Sequence, residues 1–168
     1  MKAKVAIRNL LILSIVAMNV ACDQLSKNII RNEIDINEKI VVINNFLTLT
    51  KVENTGAFLS LGNHLPRISY QIIMIALPLI FIGYALFYLF KNITLSKLLT
   101  FGICLGIGGG LGNILDRIIF GSVTDFLHFD FVIFHTGIVN MADISITCGF
   151  IIITYSLIKM GKLKSQTH

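Results

Sequence analysis

The sequence predicts an all-α integral membrane protein: four transmembrane helices with a small extracytoplasmic β-rich loop region. Three observations predict it. The 168 residues are 55% apolar and 14% charged, with a mean hydropathy of +0.81, far from the balance of a soluble domain. Four apolar runs recur along the chain, each near the roughly 20 residues that a helix needs to cross a hydrocarbon core of about 30 Å. The acids are also segregated. None lies in the N-terminal segment, in "KNITLSK" or in the C-terminal tail.

The chain reads as one membrane domain, 1–168, with helices over about 8–27, 68–90, 98–118 and 142–160. The first apolar run, Leu10 to Val20, follows Lys2, Lys4 and Arg8 and leads into "NVACDQLSK". A basic start, an apolar run and small residues before a cysteine also describe a lipoprotein export signal. Asn19 stands where such a signal usually has Leu, and three further apolar runs replace the polar body that would follow. The segment is therefore read as a permanent helix. Cys22, Cys104 and Cys148 fall inside apolar runs and are expected to be small buried hydrophobes. Their spacing fits neither a disulfide framework nor a metal site.

The outer loop, about 28–67, holds "KIVVI", then "NN", then "FLTLTKV". β-branched and aromatic residues on either side of a turn dipeptide predict two short strands. "ENTGAFLSLG" follows, with Gly56 and Gly62 permitting tight turning. The second run, Ile68 to Phe90, has Pro78 in its middle. The third, Leu98 to Leu115, contains "GIGGGLGN", whose glycines suit tight helix packing in lipid. It is not a phosphate loop, because no Lys-Ser or Lys-Thr follows. The interfacial loop, about 119–141, includes the aromatic "DFLHFDFVIFH", which suits the bilayer boundary as either helix or strand. Ala142 to Met160 is the last run.

Charge placement predicts orientation. Lysine and arginine without acids mark both termini and the Lys91–Lys97 loop as cytoplasmic. All nine Asp and Glu fall on the other side. The net charge of +5 follows from that asymmetry and implies no nucleic-acid partner.

Ionisable groups near membrane helices are costly, about 2.5–3.5 kcal/mol for a mid-helix Asp on insertion scales. Here they gather at one depth, the outer leaflet boundary. Asp23 and Lys27 end helix one. Asn113 and Arg117, with Asp116 beside them, end helix three. Asp143 opens helix four behind Asn140, and Asp125 lies in the loop before it. Each alone has a structural reading: an i,i+4 pair, a helix cap, a snorkelling arginine. Asp125 has no basic neighbour in sequence. Should Asp125 and Asp143 face each other, they would share a proton. One could then take a proton from water while the other donates to a peptide, the aspartic-protease logic. His64, His128 and His135 show no ligand spacing, and no metal or other cofactor is expected. A proton-coupled transporter and an assembly interface are the other readings of such a cluster. The first predicts acids at mid-membrane with inverted repeats, and no repeat is found.

These blocks resemble the bacterial lipoprotein signal peptidase (signal peptidase II) family over nearly the whole chain. They are "DQLSK" (23–27), "ENTGAFLS" (53–60), "GGGLGNILDR" (108–117), "GSVTDF" (121–126) and "NMADI" (140–144). The block around Phe58-Leu59 matches loosely, and Val139 stands where the family usually has Phe. The resemblance implies an aspartyl endopeptidase of the bacterial plasma (inner) membrane. It would cut the signal peptide from a diacylglyceryl prolipoprotein just before the lipidated cysteine. Asp125 and Asp143 would be its catalytic pair. Asn54, Gly56, Asn113, Arg117 and Asn140 would shape the substrate cleft, supported by Asp23 and Lys27. It also implies contact with membrane lipid and inhibition by globomycin-type cyclic peptides.

Overall fold

The computed structural model describes residues 2–56, 66–131 and 134–165. Four helical spans carry a four-stranded sheet at one end. The first span is α1 (Lys2–Glu33). The second is built from α2 (Arg67–Gln71), a π-helical turn (Ile72–Ala76) and α3 (Leu77–Lys91). The third is α4 (Lys97–Ile119) and the fourth α5 (Met141–Ser165). All four are long and apolar enough to cross a membrane. The strands are β1 (Lys39–Ile43), β2 (Leu47–Asn54), β3 (Val123–Phe131) and β4 (Phe134–Val139).

The apolar surface faces outward, as lipid allows. Leu10, Met18, Ile80, Phe81 and Phe150 are all exposed, while Ile12, Val16, Leu89, Cys104 and Ile107 pack inside. Cys22 and Cys148 depart from expectation. Only Cys104 is buried, and the other two lie on the exposed surface. A thiol loses little by facing acyl chains, so nothing compels burial there.

α4 is the central helix, packed against α1, α3 and α5. Ser96 caps it, its hydroxyl accepting from the Leu99 N–H at 3.2 Å. The π turn precedes Pro78, which has no N–H and whose ring would crowd the carbonyl four residues back. The wider turn absorbs that clash inside the span.

α1 is longer than its apolar run. Its 32 residues reach about 48 Å at about 1.5 Å each, past a core of about 30 Å. The extra turns carry Lys27 and Arg31 up to the sheet. There Ile30 and Ile34 pack with Phe126 and Leu127, and Val139 joins the same cluster.

The sheet order is β1-β2-β3-β4, antiparallel throughout. The β1–β2 hairpin turns at Asn44-Asn45, and Asn45 takes φ 56°, the left-handed region that Asn tolerates. The described residues of the aromatic segment left open between helix and strand fall in β3 and at the start of β4. Opposite β3, the β2 register shifts by one residue between Leu49 and Val52. That bulge sets Val52 across from Asp125 and Asn54 across from Val123, re-aiming side chains beside the site.

Candidate active site

The site forms where α1, α4 and α5 meet the underside of β2 and β3. It has a charged base and an upper pair of carboxylates. The base belongs to α1 and α4. Lys27 is 0% exposed. Its ammonium lies 2.8 Å from the Asp23 carboxylate and 3.0 Å from that of Asp116. Arg31, one turn further on, lies 2.8 Å from the other Asp116 oxygen. Two cations and two carboxylates thus balance, with Lys27, Asp23 and Asp116 fully buried and Arg31 partly exposed above them. Gln24 donates to Asp116 at 3.0 Å and to the Gly112 carbonyl at 3.1 Å. Asp23 also accepts the Ala142 N–H at 2.9 Å, joining the base to the start of α5.

Lys27 has a third contact, the side-chain oxygen of Asn113 at 2.9 Å. An ammonium only donates, so it fixes which end of that amide faces it. The Asn113 NH₂ is thereby turned to Asp143, to which it donates at 2.9 Å. The same logic repeats twice. The Asn140 oxygen accepts the Asp143 backbone N–H at 3.0 Å, which aims its NH₂ at Asp125, 2.6 Å away. The Asn54 oxygen accepts the Gly56 N–H at 3.0 Å, which aims its NH₂ at the other Asp125 oxygen, also 3.0 Å away. Three asparagines, from β2, α4 and the residue before α5, each present donors to a carboxylate, and each is held in that orientation from behind.

Asn140 and Asp143 also form a reciprocal cap on α5. The Asp143 carboxylate accepts the Asn140 N–H at 3.2 Å, as in a capping box. The cap and the cluster are one arrangement, since Asn140 also donates to Asn113 at 3.2 Å. Arg117 donates to the Gly56 carbonyl at 2.9 Å and to its own helix at Asn113. It ties the end of β2 to the end of α4.

Asp125 is buried, and burial pushes its carboxyl up to about 6 from 3.8. The Asn54 hydrogen bond opposes that rise, the nearby charge of Asp143 adds to it, and Asn140 and Lys27 oppose it. Desolvation penalises the charged form, and a like charge does the same.

All nine sequence-predicted residues converge here. Asp116, Arg31, Gln24 and Thr124 belong to the same network without having been singled out as site residues. A spacing signal existed for one: Arg31 continues the four-residue ladder of Asp23 and Lys27. Thr124 is fully buried and accepts from Arg31 at 2.8 Å. It donates in turn to Glu53 at 2.9 Å, which Ser122 meets at 2.5 Å. Among the described residues no cluster of three His, Cys, Asp or Glu could hold a metal ion. His64 lies outside the described residues.

Asp125 and Asp143, joined through the amides of Asn113 and Asn140 at the sheet end of four membrane-length helices, are the kind of acid pair that an aspartic peptidase uses. The family model described as signal peptidase (SPase) II matches residues 15–159. The lipoprotein signal peptidase of Streptococcus pneumoniae is 35% identical over 145 residues, 86% of this chain and 90% of that one. The one from Clostridium tetani is 32% identical over 146 residues, again 86% and 90%. Two solved bacterial membrane enzymes share the fold. One has a TM-score of 0.80 at 28% identity, covering 88% of this chain and 87% of the other. The second has a TM-score of 0.77 at 29% identity, covering 88% and 92%. The chain belongs to the signal peptidase II family and is a multi-pass membrane protease.

Proposed function

We propose that Asp125 and Asp143 are the acid–base pair with which this peptidase removes the signal peptide of a prolipoprotein, cutting just before a diacylglyceryl cysteine. The observation that carries the reading is the convergence of both carboxylates, from β3 and α5, on Asn113 and Asn140. The shared proton resides on Asp125, the more buried of the two. Asp143 takes a proton from a water molecule, and the water oxygen bonds to the scissile carbonyl carbon. Asp125 gives its proton to the carbonyl oxygen as the tetrahedral centre forms. Collapse of that centre breaks the C–N bond. The proton held by Asp143 passes to the leaving amine of the cysteine, and the hydroxyl proton returns to Asp125. The pair ends as it began.

Membrane geometry supports the substrate class. A signal peptide spans the bilayer, and the acyl chains on its cysteine stay in one leaflet. Their junction lies at the depth where α1, α4 and α5 deliver the polar cluster. The acid-free segments favour a cytoplasmic location for both termini, which supports a site at the outer face of the plasma (inner) membrane. An apolar cyclic peptide of the globomycin type would compete for the same cleft.

The test is cleavage by the purified full-length protein of a synthetic prolipoprotein peptide whose cysteine carries diacylglycerol. Mass spectrometry should find one cut, immediately before that cysteine, and none in the peptide without its lipid. A cut elsewhere, or a normal rate from a folded Asp125→Asn protein, would sink the assignment.

A further inference from the structure

Beside the peptidase site, a cavity of about 330 Å³ opens between the start of the second span and the end of α4. Arg67, Tyr70 and Gln71 of α2, Ile75 of the π turn, and Arg117 and Ile118 of α4 line it. That volume is at the small end of ligand pockets. Its lining is unusual for a surface that meets lipid, because it holds two guanidinium groups.

Neither has an acidic partner. All nine Asp and Glu belong to described residues, and the three ion pairs among described residues involve Lys27 and Arg31 only. The adjoining segment 57–65 contains no Asp or Glu that could answer them. Arg117 spends its two terminal nitrogens on the Gly56 and Asn113 carbonyls. Its buried Nε has no acceptor among the described residues. Each of those terminal nitrogens carries a second N–H, and the Arg117 side chain lines the cavity, so it has donors left for an anion there. Tyr70 donates to the Gly121 carbonyl at 3.1 Å, which holds α2 against the turn after α4 and keeps the cavity's shape.

Part of the lining is apolar. Ile75 and Ile118 line the cavity, and Ile118 is exposed near the end of a membrane span. A ligand that satisfies this cavity has a negative head for two guanidiniums and hydrocarbon for the surrounding isoleucines. Arginine matches phosphate oxygens with paired N–H donors, and basic pockets between spans select acidic headgroups.

We propose that the Arg67–Arg117 cavity is a binding site for the phosphate of an anionic phospholipid, such as phosphatidylglycerol. The lipid on a prolipoprotein cysteine is joined through a thioether and carries no phosphate, so this is a second ligand held next to the substrate cleft.

The experiment reads lipid retention, not cleavage, so its failure leaves the peptidase assignment standing. Full-length protein is passed through phosphatidylcholine vesicles doped with phosphatidylglycerol, repurified in neutral detergent and weighed by native mass spectrometry. Wild type should keep one phosphatidylglycerol in preference to phosphatidylcholine. Arg67→Gln should weaken that retention about tenfold. Arg67→Lys should keep part of it, because the charge remains and the paired donors are lost. Arg67 is exposed at the first turn of α2, so both variants should fold, and thermal unfolding checks that. Undiminished retention by folded Arg67→Gln would overturn the proposal. So would equal retention of diacylglycerol with the same chains. If inorganic phosphate binds with the same Arg67 dependence while no vesicle lipid is kept, the site takes a free anion and the lipid assignment falls.

Discussion

At the scale of single residues, the site is a set of amides whose direction is decided from behind. Lys27 orients Asn113, the Asp143 N–H orients Asn140, and the Gly56 N–H orients Asn54. Removing the Lys27 ammonium would therefore do two things. Lys27→Met leaves Asp23 and Asp116 short of a buried cation, which should cost about 3–5 kcal/mol in detergent unfolding. It also frees Asn113 to flip its oxygen toward Asp143, so the folded fraction should lose turnover as well. Full turnover from that folded fraction would show that the amide needs no anchor. In the proposed mechanism the acids act as one unit. Asp125→Asn and Asp143→Asn should each abolish cleavage, and the double variant should be scarcely worse than either. Asp130→Asn, in the same strand beyond the site, should stay active. The raised Asp125 carboxyl also fixes a pH dependence. Between about pH 4 and 6 the folded chain binds a proton at Asp125 that the unfolded chain releases. Stability therefore falls as pH rises through that window, by on the order of 3 kcal/mol, and levels off above it. Asp125→Asn should lack this slope in unfolding scans. An equal slope in both proteins would remove Asp125 as its source.

At the scale of elements, the helix contacts depend on where α4 has no side chains. A Cβ on Gly109 would strike the Ala142 carbonyl oxygen at the start of α5, and one on Gly112 would strike the Asp23 carboxylate. A Cβ on Gly106 would meet nothing within 4 Å. Gly109→Ala should thus push α5 away and displace Asp143 with it. A loss of at least tenfold in kcat/KM, about 1.4 kcal/mol, is expected. Gly106→Ala should stabilise α4 by about 0.5–1 kcal/mol and keep activity. If the two variants behave alike, the close approach at Gly109 is not what sets the site. Composition marks the glycines as a packing surface but not which of them touch, because that depends on the rotation of α4 against two neighbours. The same limit runs through the fold. Asn44-Asn45 between β-branched runs was enough to read the first hairpin. "DFLHFDFVIFH" was not enough to read β3 and β4, since an aromatic run at an interface suits either state. Pairing with β2, some 75 residues earlier in the chain, decides it. Arg31 and Glu33 look like loop residues by charge, yet α1 continues through them because Ile30 and Ile34 have the underside of the sheet to pack against. Cys22 and Cys148 were misplaced for a related reason: apolar surroundings in a membrane are as often lipid as protein.

At the scale of the whole molecule, the distribution of charge has one direction. The acids and the sheet lie at one end of the four spans. The other end, with Lys2, Lys4, Arg8, Lys91 and Lys97, carries no Asp or Glu. Arg8 adds a structural reason for that end's composition. It donates to the carbonyls of Leu89 and Asn92 at 3.0 and 3.2 Å, closing the C-terminus of α3 from across the bundle. A cation suits that negative dipole end. By the positive-inside rule we propose that this basic end is the cytoplasmic one. Single cysteines on a background with Cys22, Cys104 and Cys148 changed to alanine test the orientation. Lys91→Cys should resist a membrane-impermeant maleimide added outside intact spheroplasts and react once the membrane is opened. Asn45→Cys, exposed at the tip of the β1–β2 hairpin, should react in both cases. Because α3 ends one residue after Phe90 and the α1 tether through Arg8 holds that end in place, local fraying cannot carry position 91 across the bilayer. Labelling of Lys91→Cys from outside would therefore mean that the whole bundle is inverted, and it would put the carboxylate pair on the side where a prolipoprotein has no lipidated cysteine to offer.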